Sequence, residues 1–258
     1  NVFSQADQEE LLKKYSKEDQ HKLFVTKPLY QRALIVAGGP LANFILALVI
    51  FTFIYMFAGK DFTPAVIDEV LEDSPAKVAG MQKNDVIIEI DNTKVESILD
   101  VSKLIAMSTS EFIDFKVSRY DQEIILKVKP NFVDSVDELG NKLKKRMVGI
   151  KLSPYNNQIT HKKLGPAQAL LQSFNEVYFV TTSSLKYLGS MFTGAGDSSQ
   201  LGGPIRIAKI SGQVAEFGII PFVSMMAYIS ISLGLINLFP IPLLDGGHLM
   251  FYAFEKVL

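Results

Sequence analysis

The chain has 258 residues, 48% of them hydrophobic and 21% charged, and a mean hydropathy of +0.21, so its apolar residues must be gathered into segments. The net charge is -1, and between Lys60 and Lys163 there are 16 Lys and Arg against 17 Asp and Glu; without a basic stripe, nucleic acid is excluded as a partner. The absence of cysteine excludes disulfides and thiolate metal sites.

The first residue is Asn1, and the last, Leu258, follows an apolar run, so both ends are expected to be cut. Residues 1–32 read as a polar segment with one short solvated helix. Lys13, Lys14, Lys17, Lys22, Lys27 and Arg32 all precede the first apolar run, which places this segment in the cytoplasm by the positive-inside rule. Residues 33–59 carry no charge and exceed the roughly 20 residues needed to cross a bilayer, so a transmembrane helix is expected. Gly38 and Ala42 form a small-xxx-small surface that admits a partner helix, and Asn43 then needs a polar partner; a kinked single anchor fits the segment equally well.

From residue 60 to 130 the pattern changes to short strands. Ala65–Val70 and Val86–Ile90 are β-rich, Ile98–Met107 has helical spacing, and Phe112–Val117 with Glu123–Val128 alternate as a hairpin around Tyr120 and Asp121. Gly80 is placed to cap a helix C-terminus. This is a small β-rich domain, extracytoplasmic if the first segment is cytoplasmic. Residues 131–163 read as a charged linker whose Lys142, Lys144, Lys145 and Arg146 form a solvated face. Residues 164–192 have helical periodicity with a polar side, as expected of an amphipathic helix on the membrane surface or against a bundle. Residues 193–216 read as a loop; its glycines form no phosphate cradle, because Pro204 stands where a Lys-Ser/Thr pair would be needed.

Residues 217–258 carry the chemistry. From Phe217 to Phe254 runs a 38-residue stretch with one charge, Asp245; as a straight helix it would be about 57 Å long, nearly twice the hydrocarbon thickness. Pro240 and Pro242 remove backbone donors and Gly246 and Gly247 follow, so the helix must break just before Asp245. Broken helix survives at membrane depth only inside protein or along a water-filled cavity. An ionised Asp there costs about 2.5 to 3.5 kcal/mol and asks for a cation. No Lys or Arg is closer in sequence than Lys256, which leaves a metal ion as one reading and an interfacial helix cap as the other.

Two families are suggested by these residues. The order strand, Ser74-Pro75-Ala76 to Gly80, Asp85, Ile87 and Ile90, helix, hairpin resembles a permuted bacterial PDZ domain. That resemblance implies peptide binding by strand addition, with Ala65–Val70 and Ile98–Met107 walling the groove, although a PDZ-shaped spacer would look the same. Asn237-Leu238-Phe239-Pro240-Ile241-Pro242-Leu243-Leu244-Asp245-Gly246-Gly247 resembles the NxxPxPxLDGG motif of site-2 proteases. Gly39-Pro40-Leu41-Ala42-Asn43 is similar to their GPxxN element and Gly203-Pro204-Ile205 to a GPI element, so nearly the whole chain is covered.

The resemblance implies a membrane protein, an α-helical transmembrane bundle with an inserted PDZ-like domain. It further implies Asp245 as the third zinc ligand, Asn237 as a polar residue of the active site, and Pro240, Pro242 and Asn43 as residues that shape or receive the substrate. Activity would be intramembrane cleavage of transmembrane proteins such as anti-sigma factors, by zinc-activated water, in a multi-pass protein of the bacterial inner membrane with a periplasmic PDZ-like domain. Partners would be that substrate, a peptide or protein tail at the PDZ-like groove, and the lipid bilayer. The family's HExxH helix is missing: His21, His161 and His248 lie in no such motif. Zinc would have to be completed by ligands outside this chain, and the chain alone is expected to be inactive. The alternative is a non-catalytic membrane-tethered PDZ adaptor or pseudoprotease; a serine protease is disfavoured by the absence of Gly-x-Ser-x-Gly.

Overall fold

A computed structural model describes residues 14–20, 22–136, 142–154, 158–192 and 203–257. The chain divides into two compact units, Asn1–Phe51 with Val223–Leu258, and Thr52–Phe222.

The first unit is helical. After a single turn, α1 (Lys17–Gln20), the helix α2 runs unbroken from Leu29 to Phe53 through Pro40. A π-helical turn, Ile54–Ala58, extends it, and Leu29–Ala58 is one of two helices among the described residues that are long and apolar enough to cross a membrane. The apolar run therefore begins four residues earlier than its uncharged core suggests, because Leu29 and Tyr30 continue the helix on the far side of Arg32. The second such helix is α7 (Ile219–Leu238); residues 239–244 then interrupt the chain before α8 (Asp245–Val257). The helix is continuous through Gly38-Gly39-Pro40, and the expected break before Asp245 is found.

Close backbone approach holds α7 to α2. A side chain at Gly234 would stand 3.1 Å from the Pro40 carbonyl and 3.2 Å from the Asn43 Cβ. Ser230 Oγ donates to the Asn43 carbonyl at 2.9 Å, and Phe51 meets Tyr228 edge to face at 5.1 Å. As residue numbers rise on α7 they fall on α2, so the two helices are antiparallel. Gly38, expected at a close approach, has nothing within 4 Å where its side chain would be, among the described residues.

The second unit is built on a six-stranded sheet of order β6-β5-β3-β2-β9, with β4 paired to β3: β2 (Ala65–Val70), β3 (Val86–Ile90), β4 (Thr93–Lys94), β5 (Ile113–Arg119), β6 (Gln122–Val128) and β9 (Ile150–Pro154). Before it lies β1 (Lys60–Asp61), and α3 (Pro75–Val78) and α4 (Ile98–Met107) complete the domain. Ile67, Ile87, Ile90, Val101, Ile113, Phe115 and Val117 form its core, at 2% exposure or less. Tyr120 and Asp121 both take positive φ in the β5–β6 turn, which the right-handed twist of a tight hairpin demands. Ser97 and Asp100 make a reciprocal capping box at the start of α4, and Gly80 at φ +83° follows α3.

Two expected boundaries are corrected here. Residues 131–163 are not a linker: they hold a hairpin of β7 (Asn131–Val136) and β8 (Lys142–Met147), then β9, then β10 (His161–Lys162), which pairs β1. The alternation of β8 was hidden by four cationic residues among six. Because β9 pairs β2 along its length, β2 has partners on both sides and cannot take another strand. The edge strand on this side of the sheet is β9, so strand addition expected at Ala65–Val70 would have to take place at β9 instead. Residues 204–216 are likewise not loop but the helix α6 (Pro204–Glu216), with Pro204 at its first turn, where a missing N–H costs nothing. The glycine-rich part of that loop lies outside the described residues.

Helix α5 (Pro166–Phe192) stands where the amphipathic helix was expected. Its start is tied to the end of the first apolar helix by the Leu164 N–H donating to the Tyr55 carbonyl at 3.0 Å and by Thr52 Oγ1 bonding Ser173 Oγ at 3.1 Å. Lys103 of α4 pairs with Glu176 of α5, Lys60 with Glu96 at 2.6 Å, and Gln172 of α5 donates to Glu96 at 3.1 Å. These bonds bring the β-rich domain and α5 together around a cleft of about 580 Å³.

Candidate metal centre

The site is built where α7 stops. Phe239 N–H donates back to Ile236 at 3.0 Å, Ile241 N–H to Phe239 at 2.7 Å and Leu244 N–H to Ile241 at 3.1 Å, so the six residues 239–244 form a tight irregular turn rather than an open loop. Pro240 and Pro242 are exposed in it, each lacking the donor that would continue the helix. Leu243 has φ +80° and is 96% exposed, a backbone conformation that L side chains resist.

The glycine pair explains how α8 can begin so soon afterwards. A side chain at Gly246 would collide with the carbonyl oxygens of Leu238 and Phe239, and one at Gly247 would stand 2.5 Å from the Ile241 oxygen. Only hydrogen fits at these two positions, so the DGG sequence lets the first turn of α8 tuck under the end of α7. Asp245 is thereby placed in that first turn, with the Gly247 N–H and the His248 N–H both turned to the Leu244 carbonyl.

Asp245 is half-buried and accepts no hydrogen bond or ion pair from the described residues. The helix-cap reading would require its carboxylate to accept a backbone N–H, and it accepts none. Across from it lies Gly39 of α2, whose absent side chain would be 3.2 Å from Asp245 Oδ2. Gly39 is ten residues into α2, about 15 Å from its start.

The other expected site residues occupy the same unit. Asn43 is half-buried on α2 facing Gly234, its backbone engaged by Ser230; its side chain has no hydrogen-bond partner among the described residues. Asn237, next to last in α7, is half-buried and similarly without a partner for its amide. The structure brings Asp245 to Gly39 and Asn43 to Gly234, and it joins neither Asn to Asp245 by a hydrogen bond. The roles of Gly39, Gly234 and Gly246-Gly247 as clearances were not read from the sequence; the one available signal was glycine recurring inside apolar helix, where it costs about 1 kcal/mol and so needs a packing reason.

Among the described residues no three His, Cys, Asp or Glu side chains converge. A carboxylate that is partly desolvated, unpaired and cleared of neighbours fits a single metal ligand, and its partners in coordination are not among these side chains.

Two helices long and apolar enough to cross a membrane, the second followed by a Pro-x-Pro turn at an aspartate with no hydrogen-bond donor among the described residues, and a β-rich domain between them in sequence, define a class of membrane-helix protein. The chain belongs to peptidase family M50, the site-2 protease family, whose profile matches residues 6–258. It is 36% identical over 242 residues to "Putative zinc metalloprotease Atu1380" of Agrobacterium fabrum, covering 94% of this chain and 64% of that one. It is 33% identical over 266 residues to "Putative zinc metalloprotease mll0638" of Mesorhizobium japonicum, covering 100% and 70%, and 31% identical over 252 residues to "Metalloprotease MmpA" of Caulobacter vibrioides, covering 92% and 62%. The chain thus spans about two thirds of the length of these relatives. Among solved structures, the PDZ domain of the SdrC-like protein Lin2157 from Listeria innocua is 21% identical and covers 37% of this chain and 99% of its own, with a TM-score of 0.28.

Proposed function

We propose that this chain is the carboxylate-bearing part of an intramembrane zinc metalloprotease that cuts transmembrane proteins, anti-sigma factors among them, in regulated intramembrane proteolysis. The observation that carries the reading is the unpaired, half-buried Asp245 at a helix break beside Gly39. The relatives' names and the family support it.

Asp245 would be the protein's carboxylate ligand, with the remaining ligands outside these 258 residues, since the sequence contains no HExxH. Zinc, when bound, supplies Lewis-acid polarisation of the scissile carbonyl. This chain's own residues would position and desolvate. Asn237 and Asn43 offer free amides to an unwound substrate backbone, and the turn leaves the Pro240, Pro242 and Leu243 carbonyls without a backbone donor among the described residues, open to an extended strand. The bilayer would be the inner membrane, crossed several times by a helical bundle, with Arg32 and the preceding lysines cytoplasmic and the PDZ-like domain periplasmic. A peptide or protein tail would add to the edge of β9, and α5 would lie along the membrane surface.

The test is Asp245→Asn in the full-length protein, with zinc measured by elemental analysis and cleavage followed on a transmembrane substrate. The change keeps size and one acceptor oxygen but removes the charge, so both zinc and proteolysis should be largely lost. Full zinc with full activity would end the assignment.

A further inference from the structure

We infer that Arg32, Tyr252 and Glu255 form a register lock that fixes where along α2 the carboxylate of Asp245 stands; the inference rests on reading Asp245 as a ligand. Arg32 Nη2 donates to Glu255 Oε1 at 2.7 Å, and the Arg32 side chain is only 15% exposed. Its guanidinium carbon lies 5.2 Å from the centre of the Tyr252 ring, and Tyr252 is 7% exposed. Arg32 Nε is buried and makes no hydrogen bond, so Glu255 and the ring face are what compensate the charge.

The spacing is what makes this a lock on the site. Arg32 and Gly39 are seven residues apart on α2, and Asp245 and Tyr252 are seven apart on α8. Seven residues are two helical turns, about 10 Å, and return to within about 20° of the same face. The contacts Arg32–Tyr252 and Gly39–Asp245 are therefore one repeat apart on an antiparallel pair, and each implies the other. A slip of α8 by one turn would move the carboxylate by about 5.4 Å, away from the one clearance that admits it. Apolar and small side chains in a bilayer discriminate weakly between such registers, since lipid and helix are equally apolar. A desolvated guanidinium discriminates strongly, because any slip leaves it unpaired; fixing register is the best-attested use of buried polar groups.

Arg32 could instead be a topology anchor, but Lys13, Lys14, Lys17, Lys22 and Lys27 already serve that end, and an anchor has no reason to be covered by a tyrosine. The register can be read without zinc, by oxidative cross-linking of Gly39→Cys with Asp245→Cys in the full-length protein in membranes. Adding Arg32→Gln should slow cross-linking about fivefold, the effect of a coupling of about 1 kcal/mol, in the lower part of the usual range. Adding Arg32→Glu together with Glu255→Arg should recover at least half of the lost rate. Unchanged cross-linking in Arg32→Gln, or a swap no better than Arg32→Glu alone, would overturn the lock. In the cysteine-free protein, Arg32→Gln should weaken zinc retention against a chelator by a similar factor, with Arg32→Lys in between because it keeps the charge but loses the fork. Zinc lost in Asp245→Asn but held normally in Arg32→Gln overturns the lock alone; zinc held in Asp245→Asn overturns the ligand reading alone. Unfolding is monitored by protease resistance of each variant, so that a collapsed protein is not scored as a slipped one.

Discussion

Asp85 of the β-rich domain and Asp245 of the helical unit are both withdrawn from water, and they are treated in opposite ways. Asp85 is 1% exposed; it takes Arg119 Nε and Nη2 at 2.7 Å each and the Gln82 N–H at 2.9 Å. Every lone pair that needs a donor has one, and the pair pins the start of β3 to the end of β5. Asp245 has no donor at all among the described residues. A saturated carboxylate stabilises a fold, whereas an unsaturated one is held open by the fold for something else.

Exchanging the two by Asp→Asn is the sharpest way to break this contrast. Asp85→Asn leaves the half-buried Arg119 without a counter-charge and should destabilise the β-rich domain by about 1–3 kcal/mol, seen as faster hydrogen exchange in β3 and β5, with zinc content unchanged. Asp245→Asn should abolish proteolysis and leave hydrogen exchange in α2 and α7 at the native rate or slower. If Asp245→Asn unfolds the helical unit instead, the aspartate is structural and the contrast fails.

A smaller effect is expected at the turn. Gly246→Ala puts a methyl against two backbone carbonyls that cannot rotate away, and overpacking of this kind costs about 1–3 kcal/mol. It should displace α8 and lower zinc content while leaving the β-rich domain untouched; Gly212→Ala on α6, where nothing lies within 4 Å, is the matched control. Leu243→Gly should act in the opposite sense. Relief of φ +80° is worth about 1–3 kcal/mol, less about 0.4–1 kcal/mol for the freer unfolded glycine, so a net gain near 1 kcal/mol in thermal stability is expected. A loss would mean that the Leu243 side chain, though 96% exposed in this chain, is held by contacts elsewhere.

How much of this could be read beforehand differs between the two units for a physical reason. β2, β3 and α4 fall where alternation and helical spacing put them, because their side chains report one face each. The helix break before Asp245 was legible from two prolines in a run too long for one bilayer. β9 was not, since Ile150 and Leu152 are too few to show a period behind the cationic β8, and its pairing with β2 is a long-range event that no local pattern encodes. The partner strand decides which edge is free, and that edge is β9 rather than β2. At the site, motif and composition singled out Asp245, but the clearance at Gly39 and the Arg32–Tyr252 contact join residues more than 200 apart in sequence.

The smallest expected effect concerns the junction of the β-rich domain with α5, and its sign follows from Glu96. Burial alone would push this carboxyl up, but the hydrogen bond and charge of Lys60, with Lys94 and Gln172 adding to them, hold it below the ordinary carboxylate value. A depressed folded value means the pair contributes stability above the unfolded pKa of about 4.3 and loses it as pH falls through the folded value. The junction should therefore be unaffected between pH 8 and 5.5 and loosen only below about 4.3. Hydrogen exchange of residues 166–180, corrected for the intrinsic pH dependence, measures it. Glu96→Gln should remove the acid sensitivity at a cost of about 0.5–1 kcal/mol at neutral pH, because Gln still accepts from Lys60 but no longer offsets its charge. Loosening already at pH 6 would point to a titrating group other than Glu96, and the Lys60–Glu96–Gln172 cluster would then not be what joins the domain to α5.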